Sequence, residues 1–386
     1  YLPDYFRSCS HLLKPNGQFG SRIMGGKDSA SPRYIHTELC DTIYTIFPKE
    51  DMDLLNYLND DGLMIEPKYY CPIIPVVLIN GMVGIGTGFS TNIPQYNPKD
   101  IIFNIKNKLS GNKYKEINPW YKNFTGKIEK ISNTKYITKG CYEINKTKIE
   151  ITELPIGVWT NDYKSFLDKN VNLDKKDKNK FILDYEDHST DDTVRFILKV
   201  LPTFISSNKT YPSEKLNSIE KGLKLFSFKT TTNLHLYSEE NKIKKYKDIY
   251  QIMDEFYNVR YNLYIKRKKY QLNKLNNDKQ ILMAKQKFIQ YVINDKIVIY
   301  KNKLTNIIES LKKYEFPYII TNKIEENYTS ESYNYLTSIP IHHFTEEKID
   351  ELNNKIKDIN STYDKLNNQT VKDTWINELD ILNKSL

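Results

Sequence analysis

Two adjacent residues near the beginning of the chain combine a nucleophile with a cation. Tyr34 carries a phenol and Arg33 a guanidinium, and both end the glycine-rich stretch QFGSRIMGGKDSASPRY. A phenol is a weak nucleophile at neutral pH, and a positive neighbour such as Arg33 or Lys27 favours its phenolate form. A fixed guanidinium also stabilises negative charge on phosphate oxygens through paired hydrogen bonds. These residue types are therefore chemically suited to attack by Tyr34 on a phosphate ester.

The stretch that precedes Tyr34 is predicted to be a loop. Gly25, Gly26 and Pro32 prevent a continuous helix, and glycines allow backbone N–H groups to approach a phosphate closely. The chain has 30 tyrosines, so an Arg-Tyr pair alone is weak support for catalysis, since most such pairs lie in the core or on the surface. The prediction that Tyr34 is catalytic therefore depends on the full residue pattern of the loop and not on the Arg-Tyr pair alone.

A second glycine-rich segment runs from Tyr69 to Pro98. Its apolar run CPIIPVVLING predicts a strand, and the glycines that follow it predict irregular turns. Ile85 stands between Gly84 and Gly86, where no neighbouring side chain shields it. Such an apolar residue either packs in the core of a glycine-rich turn or remains exposed.

Both segments resemble the type IIA DNA topoisomerases of eukaryotes and large DNA viruses. The segment GQFGSRIMGGKDSASPRYIHTE is similar to the family's G-Q-F-G-[ST]-R, G-G-K-D and A-S-P-R-Y motifs, and YYCPIIPVVLINGMVGIGTGFSTNIP to its segment around G-I-G-T-G-W-S. This chain has Phe89 where the family has tryptophan. The resemblance implies that Tyr34 forms a phosphotyrosine bond with a DNA 5′ end and that Arg33 binds the phosphate.

The resemblance also implies DNA contacts around these two motifs. Four residues of the first motif are candidates, with loop stabilisation and capping as the alternative roles: Lys27, Gln18, Arg22 and Ser31. In the second motif Ile85 takes the place of the family's wedge, which enters between base steps and bends the duplex.

The family's cofactors are expected to be bound outside this sequence. Its magnesium ions are held by a Toprim domain with E-G-D-S-A and D-x-D-x-[DN] motifs, and its ATP by a separate domain, and neither pattern occurs here. The resemblance therefore implies that Toprim and ATPase regions act in cis or as a separate subunit, and that this chain alone binds DNA but cleaves it poorly. No metal site is predicted within the chain. His342 and His343 are adjacent and expected to point apart, and the four cysteines form no C-x-x-C pair.

The predicted fold is multidomain α+β, with a partial winged helix, a mixed α/β tower and a long antiparallel coiled-coil stalk with a helical C-gate. Ile252, Phe256, Val259 and Leu263 have the four-three-four spacing of a helix core face. The basic face of residues 241–274, which includes KRKK at 266–269, is predicted to be a solvated helix surface, with a DNA-binding track as the alternative. The predicted regions are the winged helix at 1–62, the tower at 63–236, the stalk at 237–289 and 346–386, and the C-gate dimerisation region at 290–345.

The predicted partners are double-stranded DNA and a second copy of the chain. The net charge of +9 admits a polyanion but does not identify one. No apolar run long enough to cross a membrane occurs, and the resemblance implies the nucleus, or the host cytoplasm if the protein is viral. Two alternatives stay open: the cleavage subunit of a split two-subunit topoisomerase, and a non-catalytic DNA-bending clamp. Because the first residue is Tyr, the sequence is expected to be a fragment.

Overall fold

The computed structural model describes residues 12–86, 88–171, 180–320, 323–325, 327–329 and 331–386. Cys9, one of the four cysteines considered above, lies outside these residues. The chain forms two compact units, which are described separately. The first unit comprises Tyr1–Lys49, Tyr57–Arg260 and Glu378–Leu386, and the second comprises Glu50–Asn56 and Tyr261–Asn377. The predicted division into winged helix, tower, stalk and gate stays a prediction.

The first unit combines short helices with small antiparallel sheets. Its helices are α1 (Ile43–Ile46), α2 (Val76–Asn80), α3 (Pro98–Leu109), α4 (Thr160–Asn170), α5 (Pro202–Ser206) and α6 (Ser218–Gly222). Its strands are β1 (Tyr57–Asp60), β2 (Leu63–Pro67), β3 (Met82–Gly86), β4 (Phe89–Ile93), β5 (Lys127–Ser132), β6 (Lys135–Lys139), β7 (Cys141–Asn145), β8 (Lys148–Glu153), β9 (Ile182–Asp187), β10 (Phe196–Val200), β11 (Thr210–Tyr211), β12 (Leu216–Asn217), β13 (Phe226–Thr230), β14 (His235–Tyr237) and β15 (Ile243–Lys245).

A four-stranded antiparallel sheet and the helix α4 enclose the main core of the first unit. The strand order is β7-β8-β10-β9, and Phe196 pairs with Ile151 of β8 on one side. Helix α4 presents Tyr163 and Leu167, one turn apart, to this sheet, and both are almost fully buried. Burial of each such side chain stabilises the folded state by about 1.5–3 kcal/mol. Loops attached to this layer are therefore anchored on a stable part of the unit. The segments TGKIEKI, KYITKGCYEI and KIEITELPI, between residues 125 and 156, alternate apolar and polar residues as half-buried strands do, and they contribute β5 to β8.

The apolar run CPIIPVVLING was wrongly predicted as a strand. It folds into the short helix α2, and the glycines that follow lie in the hairpin of β3 and β4. Ile73, Leu78 and Ile79 are buried with at most 1% exposure. A short apolar run that is buried on all sides has no periodicity that distinguishes helix from strand, which explains the error.

A long helix, α7 (Ile249–Ile293), begins in the first unit and ends in the second. Within the second unit it packs antiparallel to α10 (Glu346–Asn368): Gln286 bonds Asn353 at 2.7 Å, and Lys268 bonds the carbonyl of Asn367 at 2.9 Å. The predicted stalk helices are therefore confirmed, and with them the α+β fold class. The remaining elements of the second unit are α8 (Leu304–Lys313), β16 (Tyr318–Ile320), β17 (Lys323–Glu325), α9 (Asn334–Thr337) and α11 (Val371–Ser385), whose last residues belong to the first unit.

The basic face of α7 was only partly read correctly. Lys266 and Lys269 are exposed, but Arg267 is buried and pairs with Asp51 at 3.3 Å. Arg260, in the part of α7 that belongs to the first unit, is fully buried and donates to the carbonyl of Cys71 at 3.0 Å. A guanidinium can be buried where carboxylate or carbonyl oxygens accept its hydrogen bonds, and the sequence did not reveal those distant partners. Within the described residues, we find no helix with the length and apolarity that a membrane span requires.

Candidate functional site

Tyr34 ends a single 3-10 turn, Pro32–Tyr34, whose proline favours the helical start. The Tyr34 N–H donates to the carbonyl of Ser31 at 2.9 Å, which fixes the main chain at Tyr34. The Tyr34 side chain is 73% exposed, and the Arg33 guanidinium carbon lies 6.0 Å from the centre of its ring. The phenol and the cation are thus side by side and open to a large substrate.

The segment from Gln18 to Tyr34, here called the tyrosine loop, is closed by its own hydrogen bonds. The Ser21 N–H donates to the Asp28 carboxylate at 2.9 Å, and the Ala30 N–H donates to the Gln18 carbonyl at 2.9 Å. Burial raises the pKa of Asp28, but hydrogen bonds from the hydroxyl and N–H of Ser21 outweigh it, so the pKa lies below its ordinary value. The loop predicted from glycine and proline is therefore an ordered structure.

Two glycines of the tyrosine loop are required by close packing. Gly20 has φ +98°, and a Cβ there would lie 2.5 Å from the Cα of Gly26. Gly25 has φ +63°, and a Cβ there would lie 2.3 Å from the indole of Trp159. A larger residue at Gly25 would displace the loop from Trp159, and one at Gly20 would separate the two parts of the loop that meet there.

The tyrosine loop is attached to the four-stranded sheet and α4. The Arg22 guanidinium pairs with the Glu153 carboxylate at the end of β8, and the Arg22 N–H donates to the Asp191 carbonyl at 3.0 Å. The Asn161 N–H, in the first turn of α4, donates to the Ile23 carbonyl at 3.0 Å. The core of the first unit thus sets the position of the loop.

The four residues predicted to contact DNA fall into two groups. Gln18, Lys27 and Ser31 are exposed on the loop, together with Arg33 and Tyr34. Arg22 differs, since its side chain is only 21% exposed and is engaged by Glu153. Their roles toward DNA stay predictions.

Ile85 lies on the hairpin of β3 and β4, Met82–Ile93, here called the wedge hairpin. It pairs with Ser90 in the ladder, and its side chain is 85% exposed. A Cβ added at Gly84 or Gly86 would meet no atom within 4 Å. The alternative that Ile85 is a core residue is therefore wrong.

Sequence reasoning missed Glu153, Asp28 and Trp159, which hold the tyrosine loop. Asp28 stands inside the recognised motif, but Glu153 and Trp159 lie more than a hundred residues away and carry no local signal. The rings of His342 and His343 lie 4.4 Å apart in a 3-10 turn, so the expectation that they point apart was wrong. Even so, across the parts of the chain that are described, no group of three or more His, Cys, Asp or Glu side chains could hold a metal ion.

Nearly the whole chain matches a known family. Residues 2–380 match the A-subunit family of DNA gyrase/topoisomerase IV, and the chain belongs to this family. Among curated proteins it is 38% identical to DNA topoisomerase 2 of Acanthamoeba polyphaga mimivirus, over 96% of this chain and 33% of that protein. It is also 38% identical to DNA topoisomerase 2 of Plasmodium falciparum, over 97% of this chain and 28% of that protein.

A solved structure extends the likeness from sequence to fold. The crystal structure of the Plasmodium falciparum topoisomerase II DNA-binding, cleavage and re-ligation domain superposes with a TM-score of 0.82 at 36% identity, covering 97% of this chain and 52% of that one. The resemblance to type IIA topoisomerases, drawn from two motifs, is thereby confirmed. The chain spans about a third of the length of the curated relatives it matches.

Proposed function

We propose that this chain is the DNA-cleavage and re-ligation portion of an ATP-dependent type IIA DNA topoisomerase. The observation that carries the proposal is the exposed Tyr34 phenol beside Arg33, at the end of a loop held by its own hydrogen bonds. Such a loop presents a nucleophile to a substrate too large to enter a pocket. The activity is the transient cutting of one duplex and the passage of another, which relaxes supercoils and decatenates DNA.

The cleavage step exchanges one phosphate ester for another. The Tyr34 oxygen attacks a backbone phosphorus, the bond from phosphorus to the deoxyribose 3′ oxygen breaks, and the 3′ oxygen leaves with a proton. Arg33 binds the non-bridging oxygens, where negative charge accumulates. Because the tyrosyl ester retains the energy of the broken phosphodiester bond, the 3′ hydroxyl can reverse the reaction. The strand is then resealed without another energy source.

The wedge hairpin and the exposed polar residues of the tyrosine loop are proposed to bind the duplex. Ile85 enters between two base steps, and the absence of side chains at Gly84 and Gly86 lets the duplex approach the hairpin. Gln18, Lys27 and Ser31 contact the backbone near the scissile phosphate. This arrangement bends the DNA before it is cut.

Magnesium and ATP are proposed to be bound by Toprim and ATPase regions, in cis or as a separate subunit. The described residues offer no cluster that fits a metal ion. Bound at the Toprim region, magnesium would assist departure of the 3′ oxygen. The proposed part of this chain in that reaction is to supply and orient Tyr34 and Arg33.

The active form is proposed to be a homodimer, with one Tyr34 from each protomer cutting one strand. Residues 290–345 are the proposed gate between protomers, and two apolar side chains of this segment, Tyr300 and Ile341, are 76% and 84% exposed and thus open to contact with a partner. Location in the nucleus or in a viral factory in the host cytoplasm remains a prediction.

The decisive variant is Tyr34→Phe in the full-length protein with magnesium and ATP. Removing the phenolic oxygen removes the nucleophile, so we expect no covalent protein–DNA adduct after detergent trapping and a loss of relaxation of at least about 1,000-fold. Tyr44→Phe is the matched control, because Tyr44 is also exposed but stands outside the motif. Normal relaxation by Tyr34→Phe would reject the proposal. A wild-type protein that bends DNA without forming an adduct would support the non-catalytic clamp.

A further inference from the structure

We propose that Arg22 and Glu153 form a latch that positions the tyrosine loop, and that Arg22 acts on cleavage through Glu153 rather than by contacting DNA. The inference rests on the proposed function, since it assigns both residues a part in the cleavage step. It replaces the DNA-binding role that the motif suggested for Arg22.

Glu153 is a buried carboxylate surrounded by donors. Its side chain is 3% exposed, and it accepts hydrogen bonds from the Leu154 N–H at 2.9 Å and the Thr125 hydroxyl at 3.2 Å, besides the ion pair with Arg22. A buried carboxylate needs such partners, because it has lost its water. Replacing Arg22 leaves this charge without its cationic partner, so the loop and the sheet would both have to adjust.

Both terminal nitrogens of the Arg22 guanidinium face acceptors of the protein itself. One terminal nitrogen bonds Glu153, and the other lies 3.5 Å from the carbonyl of Asp192. The main chain of Arg22 is fixed as well, because its N–H donates to the Asp191 carbonyl at 3.0 Å. Held in this way, the Arg22 side chain connects the loop to the sheet. Its guanidinium N–H groups are poorly available to a phosphate.

A short series of hydrogen bonds within the tyrosine loop connects Arg22 to Tyr34. Ser21, next to Arg22, donates to Asp28, and the Gln18 carbonyl accepts the Ala30 N–H on the opposite side of the loop. Ala30 is followed directly by Ser31, whose carbonyl accepts the Tyr34 N–H. A shift at Arg22 therefore moves the loop that carries the phenol. A misplacement of about 1 Å costs on the order of 100-fold in rate in a positioned reaction.

The test uses the full-length enzyme and separates DNA affinity from cleavage. For Arg22→Ala and Glu153→Gln we expect the rate of adduct formation to fall about 10- to 100-fold, while the Kd for the duplex changes less than about 2-fold. Arg22→Lys keeps a cation but loses the fork, so its rate should lie between wild type and Arg22→Ala. The control is Arg195→Ala, which breaks an exposed 2.8 Å pair with Glu150 on the same sheet and should change neither value.

The opposite pattern would overturn the proposal. If Arg22→Ala weakens DNA binding and lowers its salt slope by about one unit while Glu153→Gln cleaves normally, then Arg22 is a phosphate contact. Should both charge variants unfold, Thr125→Val removes one hydrogen bond to Glu153 without changing charge. It should slow adduct formation about 3-fold, and a normal rate would contradict the latch. Failure of the proposed function looks different, because wild-type protein would then form no adduct at all.

Discussion

The tyrosine loop and the wedge hairpin are both glycine-rich, but the surroundings of their glycines differ. In the tyrosine loop, Gly25 lies against Trp159 and Gly20 against Gly26, so this chain's own packing requires them. In the wedge hairpin, Gly84 and Gly86 face open space, and Ile85 between them is 85% exposed. Packing within the described chain gives no reason for glycine there.

Under the proposed function, this difference means that the two elements are prepared for DNA in different ways. The tyrosine loop is held by contacts within the chain, through Asp28 inside the loop and through Glu153 and Asn161 outside it. The wedge hairpin leaves its apolar residue in solvent, so its packing partner has to come from outside. Substitutions in the loop should therefore affect the free protein, and substitutions in the hairpin should affect only the complex.

Among the substitutions that test this comparison, the largest effect is expected from Gly25→Ala. The new methyl group would overlap Trp159, and the positive φ adds strain, so we expect the free energy of unfolding to fall by about 2–4 kcal/mol. Adduct formation in the full-length enzyme should fall by at least about 100-fold. Chemical denaturation and detergent trapping measure the two effects. Gly62→Ala is the control, because Gly62 also has a positive φ, +89°, but a Cβ there has nothing within 4 Å. Equal losses in the two variants would show that Trp159 has no special part.

A smaller effect, confined to the complex, is expected from Ile85→Ala. The side chain is exposed, so the free energy of unfolding should change by less than about 0.5 kcal/mol. The bend angle of bound DNA, measured by fluorescence energy transfer between the duplex ends, should decrease, and cleavage should fall about 10-fold. Gly84→Ala should likewise spare folding and weaken binding. An Ile85→Ala protein that is unstable but bends DNA normally would reverse the comparison.

The smallest effect is expected from Asp28→Asn, and it should depend on pH. The pKa of Asp28 is lowered in the folded protein, so its stabilising contribution is present above the unfolded value of about 4 and is lost as the pH falls through the folded value. At pH 7 we expect the variant to melt about 2 °C below wild type. The gap should close below pH 4. Melting curves between pH 3 and pH 7 test this, and a gap that widens in acid would contradict the assigned bond to Ser21.

The sequence was a better guide to the Tyr34 motif and the long helix than to the residues that hold the tyrosine loop in place. Tyr34 and α7 follow from local patterns, a contiguous motif and a helical repeat, which need no knowledge of distant residues. The roles of Glu153 and Trp159 depend on β8 and α4 meeting the tyrosine loop, and such long-range contacts leave no mark in the local sequence. The burial of Arg267 could not be predicted from the sequence for the same reason, since its partner Asp51 is 216 residues away.

The central claim is tested most directly by identifying the residue that becomes joined to DNA. The full-length enzyme, trapped on labelled DNA with detergent and digested with nuclease and protease, should yield one modified peptide that contains PRY, with the nucleotide phosphate on the Tyr34 oxygen. Recovery of the label on another side chain, or on none, would contradict the account.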